Sequence, residues 1–406
     1  MRILVVNQYF HPDIASTSQL LTELCEDLAA HHEVTVVAGR PSYNPVELDT
    51  GSGIVSEERL NGIRVLRTWS TRYPRGSMAG RVTNYATYLA SCVVGIAKVD
   101  RPDVVLTMTD PPVVALAAML ASRAYRRPFV YINQDIFPQV AVALGQLRSP
   151  IAIRALSRLN RLIRGKAARV VAIAPEMRRR LVQEGTTPGR IMVIRNWADG
   201  SVIKPLSGPS RLKDAMGWSD RFVVMHSGNV GFSQSLQTLL MAADRLRHEE
   251  GLVFAVIGDG AMKSVLERRA GQLGLRNVEF LPYQPKASLS DSLGAADVHI
   301  VSLRRGLSGF IVPSKVYGIM AAGKPFVAAV EPDSEPARII REGECGVRTE
   351  PDDPRALAEA VMSIRGQPLD RMGRRARRLF EERFDRPIAT SAYRELLEEV
   401  AGARHG

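Results

Sequence analysis

From RILVVNQYF at residues 2–10 to GVRTE at residues 346–350, short apolar runs rich in Val and Ile recur along the whole chain. Between them lie segments, such as residues 18–30, 237–249, 263–273 and 355–364, whose apolar residues return at helical spacing. A strand that is apolar on both faces must be covered on both faces, and helices alternating with such strands cover a parallel sheet from either side. The pattern therefore predicts an α/β, doubly wound architecture. The series starts twice, because VVNQYFHPDIASTSQLLTELCEDL and VVMHSGNVGFSQSLQTLLMAADRL each read as strand, polar or glycine-bearing loop, then helix.

Two Rossmann-like domains facing a cleft are expected, at residues 1–200 and 216–385. The last segment, 386–406, is expected to form a helix that packs back on the first domain. Residues 198–220, rich in Gly, Ser and Pro, read as the linker. A length of 406 residues exceeds what one hydrophobic core organises, and 45% hydrophobic residues is ordinary for a soluble protein. The first strand is interrupted at Asn7 and again at His11 and Pro12, too early for a signal peptide. The longest apolar stretches, near residues 89–97 and 113–121, reach about half of the roughly 18 residues a membrane span needs. Three cysteines, Cys25, Cys92 and Cys345, lie too far apart for a metal knuckle or redox pair, so neither disulfides nor zinc are expected and a cytoplasmic setting fits.

A net charge of +12 attracts polyanions of every kind. Nucleic acid is the reading that the charge alone would allow. The sequence, however, carries no basic helix-turn-helix, zinc knuckle or aromatic strand motif.

In HSGNVGFSQSLQTLL, Gly228 and Gly231 bracket a tight loop around Asn229, placed where a helix start would offer N–H groups to a phosphate. The plain alternative is a βα turn that needs glycine to fold. A second helix start follows Pro313, where Ser314 can cap and Lys315 in the first turn opposes the helix dipole unless an anion neutralises it. The alternative there is a solvated surface lysine. Two such starts at strand ends of one domain could hold a single diphosphate, and Arg304 and Arg305 lie just upstream.

The order GNVG, VIGDG, LGLRNVEFLPY, AADVHIVSL and PSKVYGIMAAGKP resembles the nucleotide-binding half of retaining GT-B glycosyltransferases of family 4, especially the bacterial enzymes that build O-antigen and capsule. NQYFHPDIASTSQLLTELCEDLA and NQDIFPQVAVALG are similar to the acceptor domain of the same group. The resemblance implies that residues 228–231 and the helix start at Ser314 and Lys315 hold the donor diphosphate, and that Tyr283 neighbours the base, with packing as the alternative role for that tyrosine. The family places two glutamates eight residues apart, the second on the nucleotide ribose. Here those positions read Phe310 and Gly318, so Glu335 is the expected substitute.

For the chemistry, Asp135 ends the run YINQD beside Asn133 and Gln134 and is the first choice as base or as stabiliser of positive charge at the anomeric carbon. Asp110, at the end of VVLTMTD, is the second choice, and a helix cap is the alternative role for Asp135. No Asp-X-Asp stands at a strand end, so no metal and no cofactor are expected beyond the nucleotide-sugar co-substrate. Helix starts, Lys315 and arginine must then meet the leaving-group charge.

In RSPIAIRALSRLNRLIRGKAAR, Arg154, Arg158, Arg161 and Arg164 are read as one stripe over an apolar stripe, suited to an anionic membrane surface or to an ordinary amphipathic helix. Arg72, Arg75 and Arg81 precede a second apolar, tyrosine-bearing helix. The expected function is a metal-independent glycosyltransferase that moves a sugar with retention from a UDP-sugar donor to a lipid-linked acceptor, peripheral at the inner face of the plasma membrane. The alternatives are a nucleotide-sugar epimerase of the same fold or a basic nucleic-acid-binding protein.

Overall fold

The structure, a computed structural model, describes residues 1–13, 15–41, 53–73, 78–109, 111 and 113–403. Residues Met1–Arg195 with Thr390–Gly406 form one compact unit, and residues Asn196–Ala389 form another.

The first unit is built on an eight-stranded sheet of β1 (Arg2–Val6), β2 (Glu33–Gly39), β3 (Val55–Leu60), β4 (Ile63–Thr68), β5 (Val104–Met108), β6 (Phe129–Asn133), β7 (Arg169–Ala172) and β8 (Ile191–Val193). Its order is β3-β4-β2-β1-β5-β6-β7-β8. All neighbours are parallel except β3 and β4. That hairpin turns through Asn61 and Gly62, with φ of +47° and +83°, the left-handed pair a two-residue turn needs. β3 (VSEERL) is half-exposed on the sheet edge, so it carries none of the apolar signal that marks the other strands. β1, β5 and β6 read as continuous apolar runs because they are central and covered on both faces.

The second unit carries a six-stranded, wholly parallel sheet of β9 (Phe222–Ser227), β10 (Leu252–Ile257), β11 (Val278–Leu281), β12 (Val298–Ser302), β13 (Phe326–Ala329) and β14 (Gly346–Thr349). Its order is β11-β10-β9-β12-β13-β14. The chain winds outward through β10 and β11, then returns to the other side of β9 with β12. The topological switch point lies between β9 and β12, and in such sheets the ligand crevice opens at the carboxyl ends of those strands. The doubly wound α/β class predicted from the apolar runs is thus present in both units.

Residues expected to act as a linker are packed instead. Ser210 caps the helix Arg211–Ala215, the Asp291 carboxylate accepts from the N–H groups of Arg211 and Leu212, and Lys213 pairs with Asp297 at 2.8 Å. Trp218 is fully buried and donates Nε1–H to Glu279. Gly, Ser and Pro mark the absence of helical or strand periodicity, but caps and tight turns use the same residues as linkers do.

The helix Arg386–Gly402 ends the described chain. Its Tyr393, Leu396, Leu397 and Val400 are buried, and Glu398 and Glu399 reach His32 and Arg169 at 3.0 and 2.6 Å within the first unit. All three cysteines are free and buried. Among the described residues no helix is long and apolar enough to cross a membrane.

Candidate functional site

The carboxyl end of β9 is held by glycines of two different kinds. Gly228 has φ of +128°, a conformation that side chains rarely adopt, yet a Cβ there would come no nearer than 3.7 Å to Lys315. Gly258, in the loop after β10, is excluded from substitution by contact as well, because a Cβ would lie 1.9 Å from the Gly228 carbonyl oxygen. The two loops are joined by hydrogen bonds from Val230 N–H to the Asp259 carbonyl, 2.8 Å, and from Met262 N–H to the Val230 carbonyl, 3.0 Å.

Those bonds use donors that the sequence reading left for a phosphate. Gly228 N–H donates to the Ile257 carbonyl at 2.9 Å, and Gly231 N–H donates to the Gln234 side-chain oxygen at 3.0 Å. Asn229 is exposed at the apex of the turn. After a 3-10 turn at Phe232–Gln234 the helix Leu236–Arg245 begins, and Arg304 N–H, just past β12, donates to the Ser233 carbonyl at 2.8 Å. The loops after β9 and β12 are therefore in direct contact.

Lys315 opens the helix Lys315–Ala321, only seven residues long. Its Nζ lies 2.9 and 3.2 Å from the two ring nitrogens of His226, the buried end of β9. No carboxylate pairs with it among the described residues. Burial holds its ammonium down to about 7. His226 is pushed well below the usual histidine value, by burial first and by the Lys315 charge second. The imidazole is therefore neutral and can accept from Nζ. The sequence reading placed Lys315 by the dipole of its helix, but so short a helix has little dipole to oppose, and the contact with His226 fixes it.

Ser314 departs from expectation in the same way. It has helical backbone angles, φ −66° and ψ −19°, and its side chain makes no capping hydrogen bond. A capping serine has extended backbone, and that geometry is absent here.

Tyr283, after β11, is 47% exposed, and its hydroxyl lies 3.5 Å from the Asp259 carbonyl oxygen, which places it beside the loops of β9 and β10. Glu335 opens the helix Glu335–Gly343 after β13, but it is 1% exposed and ion-paired with Arg338. A ribose contact there would require that pair to open. Arg305 is engaged by Glu350 and the Pro351 carbonyl. Gly228, Asn229, Gly231 and Lys315 are thus brought together, with Tyr283 on the neighbouring strand end and Glu335 packed away.

Sequence reasoning passed over His226 because it closes an apolar run. The available signal was a titratable residue in the last buried position of a strand, two residues before a glycine turn.

In the first unit, Asp135 follows β6 and is partly buried, and its N–H lies 3.4 Å from Thr109 Oγ1, which also accepts from Gln134 N–H at 3.0 Å. Asp110 lies outside the described residues, as does Arg75 and the side chain of Arg81. Among the described residues no three His, Cys, Asp or Glu side chains gather closely enough to hold a metal ion.

The arginine helix, Pro150–Lys166, corrects one further expectation. Arg154, Arg158 and Arg161 are exposed, and they share their face with Ile151 and Leu162, which are 77% and 50% exposed. Arg164 belongs to the opposite, inner face, where it is 3% exposed and donates to Glu184 at 2.8 Å. Three arginines, not four, line the outer stripe.

Comparison with known proteins places the chain in a family. Residues 17–197 match the glycosyl transferase 4-like domain, and residues 221–365 match glycosyl transferases group 1. WbjE of Pseudomonas aeruginosa, named as a glycosyltransferase, is 31% identical over 305 residues, covering 74% of this chain and 76% of the relative. WcaI of Escherichia coli (strain K12), assigned by name to glycosyl transfer in colanic acid biosynthesis, is 26% identical over 348 residues, 82% of this chain and 84% of its own. Among solved structures, Anabaena HepE in complex with UDP and glucose superposes with a TM-score of 0.75 at 19% identity, over 98% of this chain and 100% of that one. With both halves matched in order and the fold shared along its length, the chain belongs to the group 1 glycosyl transferases, of the GT-B, family 4-like kind.

Proposed function

We propose that the protein transfers a sugar, with retention, from a UDP-sugar donor to a lipid-linked acceptor in cell-surface polysaccharide synthesis. One observation carries the donor reading. Lys315 is a cation set at the switch point of the second sheet, its basicity lowered by burial, and among the described residues no carboxylate pairs with it. Burying a charge without a counter-charge is costly, and an anionic ligand relieves that cost. A diphosphate reaching the turn of Gly228, Asn229 and Gly231 meets this ammonium, and Nζ then stabilises the charge that develops on the leaving diphosphate. Ser314 keeps its hydroxyl out of the helix cap, which leaves it available to the same ligand, and Tyr283 is the proposed neighbour of the base.

UDP as the nucleotide is supported by HepE, solved with UDP bound, and the polysaccharide setting is supported by the name of WcaI. The second unit is the proposed donor domain and the first the proposed acceptor domain, with Asp135 as the group that acts as base or stabilises the anomeric cation. The outer face of the helix Pro150–Lys166 is the proposed contact with anionic lipid at the inner face of the membrane.

The test is calorimetric. UDP is expected to bind and to raise the melting temperature. Changing Lys315 to Ala is expected to weaken UDP by about 1.5–3 kcal/mol, the worth of a hydrogen bond to a charged group. Equal affinity in the two proteins would refute the site.

A further inference from the structure

The donor reading gives Lys315 a role but does not by itself explain the residue beneath it. His226 is 0% exposed, in a strand whose preceding buried residues are Val223, Val224 and Met225. A polar ring in that position is costly unless its nitrogens are bonded. Here they are. Nε2 lies 3.3 Å from the Asn229 carbonyl oxygen, and Lys315 Nζ lies within 3.2 Å of both nitrogens. Nζ is nearer Nε2, at 2.9 Å, than Nδ1, at 3.2 Å; because only Nε2 reaches the Asn229 carbonyl, the tautomer that gives both partners a bond is the one protonated on Nε2, with Nδ1 accepting from Nζ.

The groups that face this pair are bases. His299, on the adjacent β12, is also 0% exposed and has Nε2 2.9 Å from the Leu293 carbonyl oxygen. Lys324 adds a further positive charge that acts on His299. A carboxylate in place of His226 would hold the ammonium equally well but would cancel its charge. An apolar residue would leave Nζ with no acceptor. A neutral acceptor such as this imidazole fixes the direction of the amine while leaving its charge for a ligand.

We propose that His226 is the positioning residue for Lys315, a neutral acceptor that ties the ammonium to the carbonyl of the 228–231 turn and aims it, uncancelled, at a nucleoside diphosphate. The proposal rests on the donor reading above. Because Asn229, His226 and Lys315 form one chain of hydrogen bonds, the turn after β9 and the helix start after β12 are held in register by a single ring.

The experiment uses UDP and uridine as probes on the full chain. His226→Leu is expected to weaken UDP on the order of tenfold while leaving uridine, which has no phosphate, within about twofold. His226→Gln, whose amide can both accept from Nζ and donate to the Asn229 carbonyl, is expected to restore most of the UDP affinity. The double variant His226→Leu with Lys315→Ala is expected to bind UDP no more weakly than Lys315→Ala alone, since one residue acts through the other. Unchanged UDP affinity in His226→Leu, equal losses for UDP and uridine, or additive losses in the double variant would each overturn the assignment. If the Leu variant does not fold, the ring decides. Nitrogen-15 spectra of histidine-labelled wild type are expected to show a neutral ring protonated on Nε2 from pH 6 to 8, with Nδ1 shifted in Lys315→Ala. A ring that titrates in that range, or ignores the lysine substitution, overturns the proposal. Should Lys315→Ala itself bind UDP like wild type, the donor site falls and this inference with it. Loss in Lys315→Ala without loss in His226→Leu removes only the role of His226.

Discussion

Burial holds the Lys315 ammonium down to about 7, whereas an unfolded lysine keeps its proton to about 10.5. Between those values the unfolded chain binds more protons than the folded one, so the ligand-free protein gains stability from this residue's surroundings as pH rises from 7 towards 10.5. Below 7 both states are protonated and the full burial cost remains. Lys315→Met is therefore expected to stabilise the empty protein most at pH 6–7, with an advantage that shrinks steadily towards pH 10, as measured by urea unfolding. An advantage of constant size across that range would contradict the placement. With UDP bound the order reverses, because the diphosphate restores the proton and the wild type gains more from the ligand than the variant. The sequence made Lys315 visible as a cation after Ser314, but the burial that depresses its basicity, and the ring of His226 that contacts it from 89 residues away in the chain, are set by the tertiary fold.

The elements show where periodicity informs and where it misleads. In the helix Pro150–Lys166 the spacing of arginines is legible, yet the face each one occupies depends on what the helix packs against. Arg164 turns inward because Glu184, beyond β7, is there to receive it. Changing Arg154, Arg158 and Arg161 together to Gln is expected to release the protein from phosphatidylglycerol vesicles in a salt-dependent manner, each arginine contributing on the order of 1 kcal/mol. Arg164→Gln is expected to leave vesicle binding intact and to lower the melting temperature, at a cost of about 1.5–3 kcal/mol for the lost charged hydrogen bond. Cosedimentation and thermal unfolding separate the two. If wild type never sediments with vesicles, the outer stripe is a solvated face. Strands behave differently from this helix. A central parallel strand announces itself by a continuous apolar run, whereas β3, half-exposed on an edge, announces itself only through the Asn61–Gly62 turn that follows it.

At the scale of the whole molecule, sugar transfer without a metal is the expectation that most exposes the proposed chemistry, because Lys315 then carries a share of the leaving-group charge that a divalent ion would otherwise take. Turnover of a UDP-sugar is expected to persist in excess EDTA and to fall at least tenfold in Lys315→Ala, on the scale of one charged hydrogen bond. Recovery of an EDTA-treated enzyme only on addition of Mg²⁺ or Mn²⁺ would contradict it. What the sequence by itself determined is the doubly wound α/β class, the two starts of the strand series and the loops at their strand ends, since all of these follow from local periodicity and from glycines that a left-handed turn demands. Only the tertiary structure decided that the N–H groups of Gly228, Val230 and Gly231 are already bonded within the protein, that Glu335 is turned to Arg338, and that a histidine supports Lys315. The lysine–histidine contact and the bonds from the 228–231 turn to the loop after β10 join segments far apart in sequence, and even the Glu335–Arg338 pair, three residues apart, is chosen by how its helix is buried; no local pattern encodes which buried partner a polar side chain will meet.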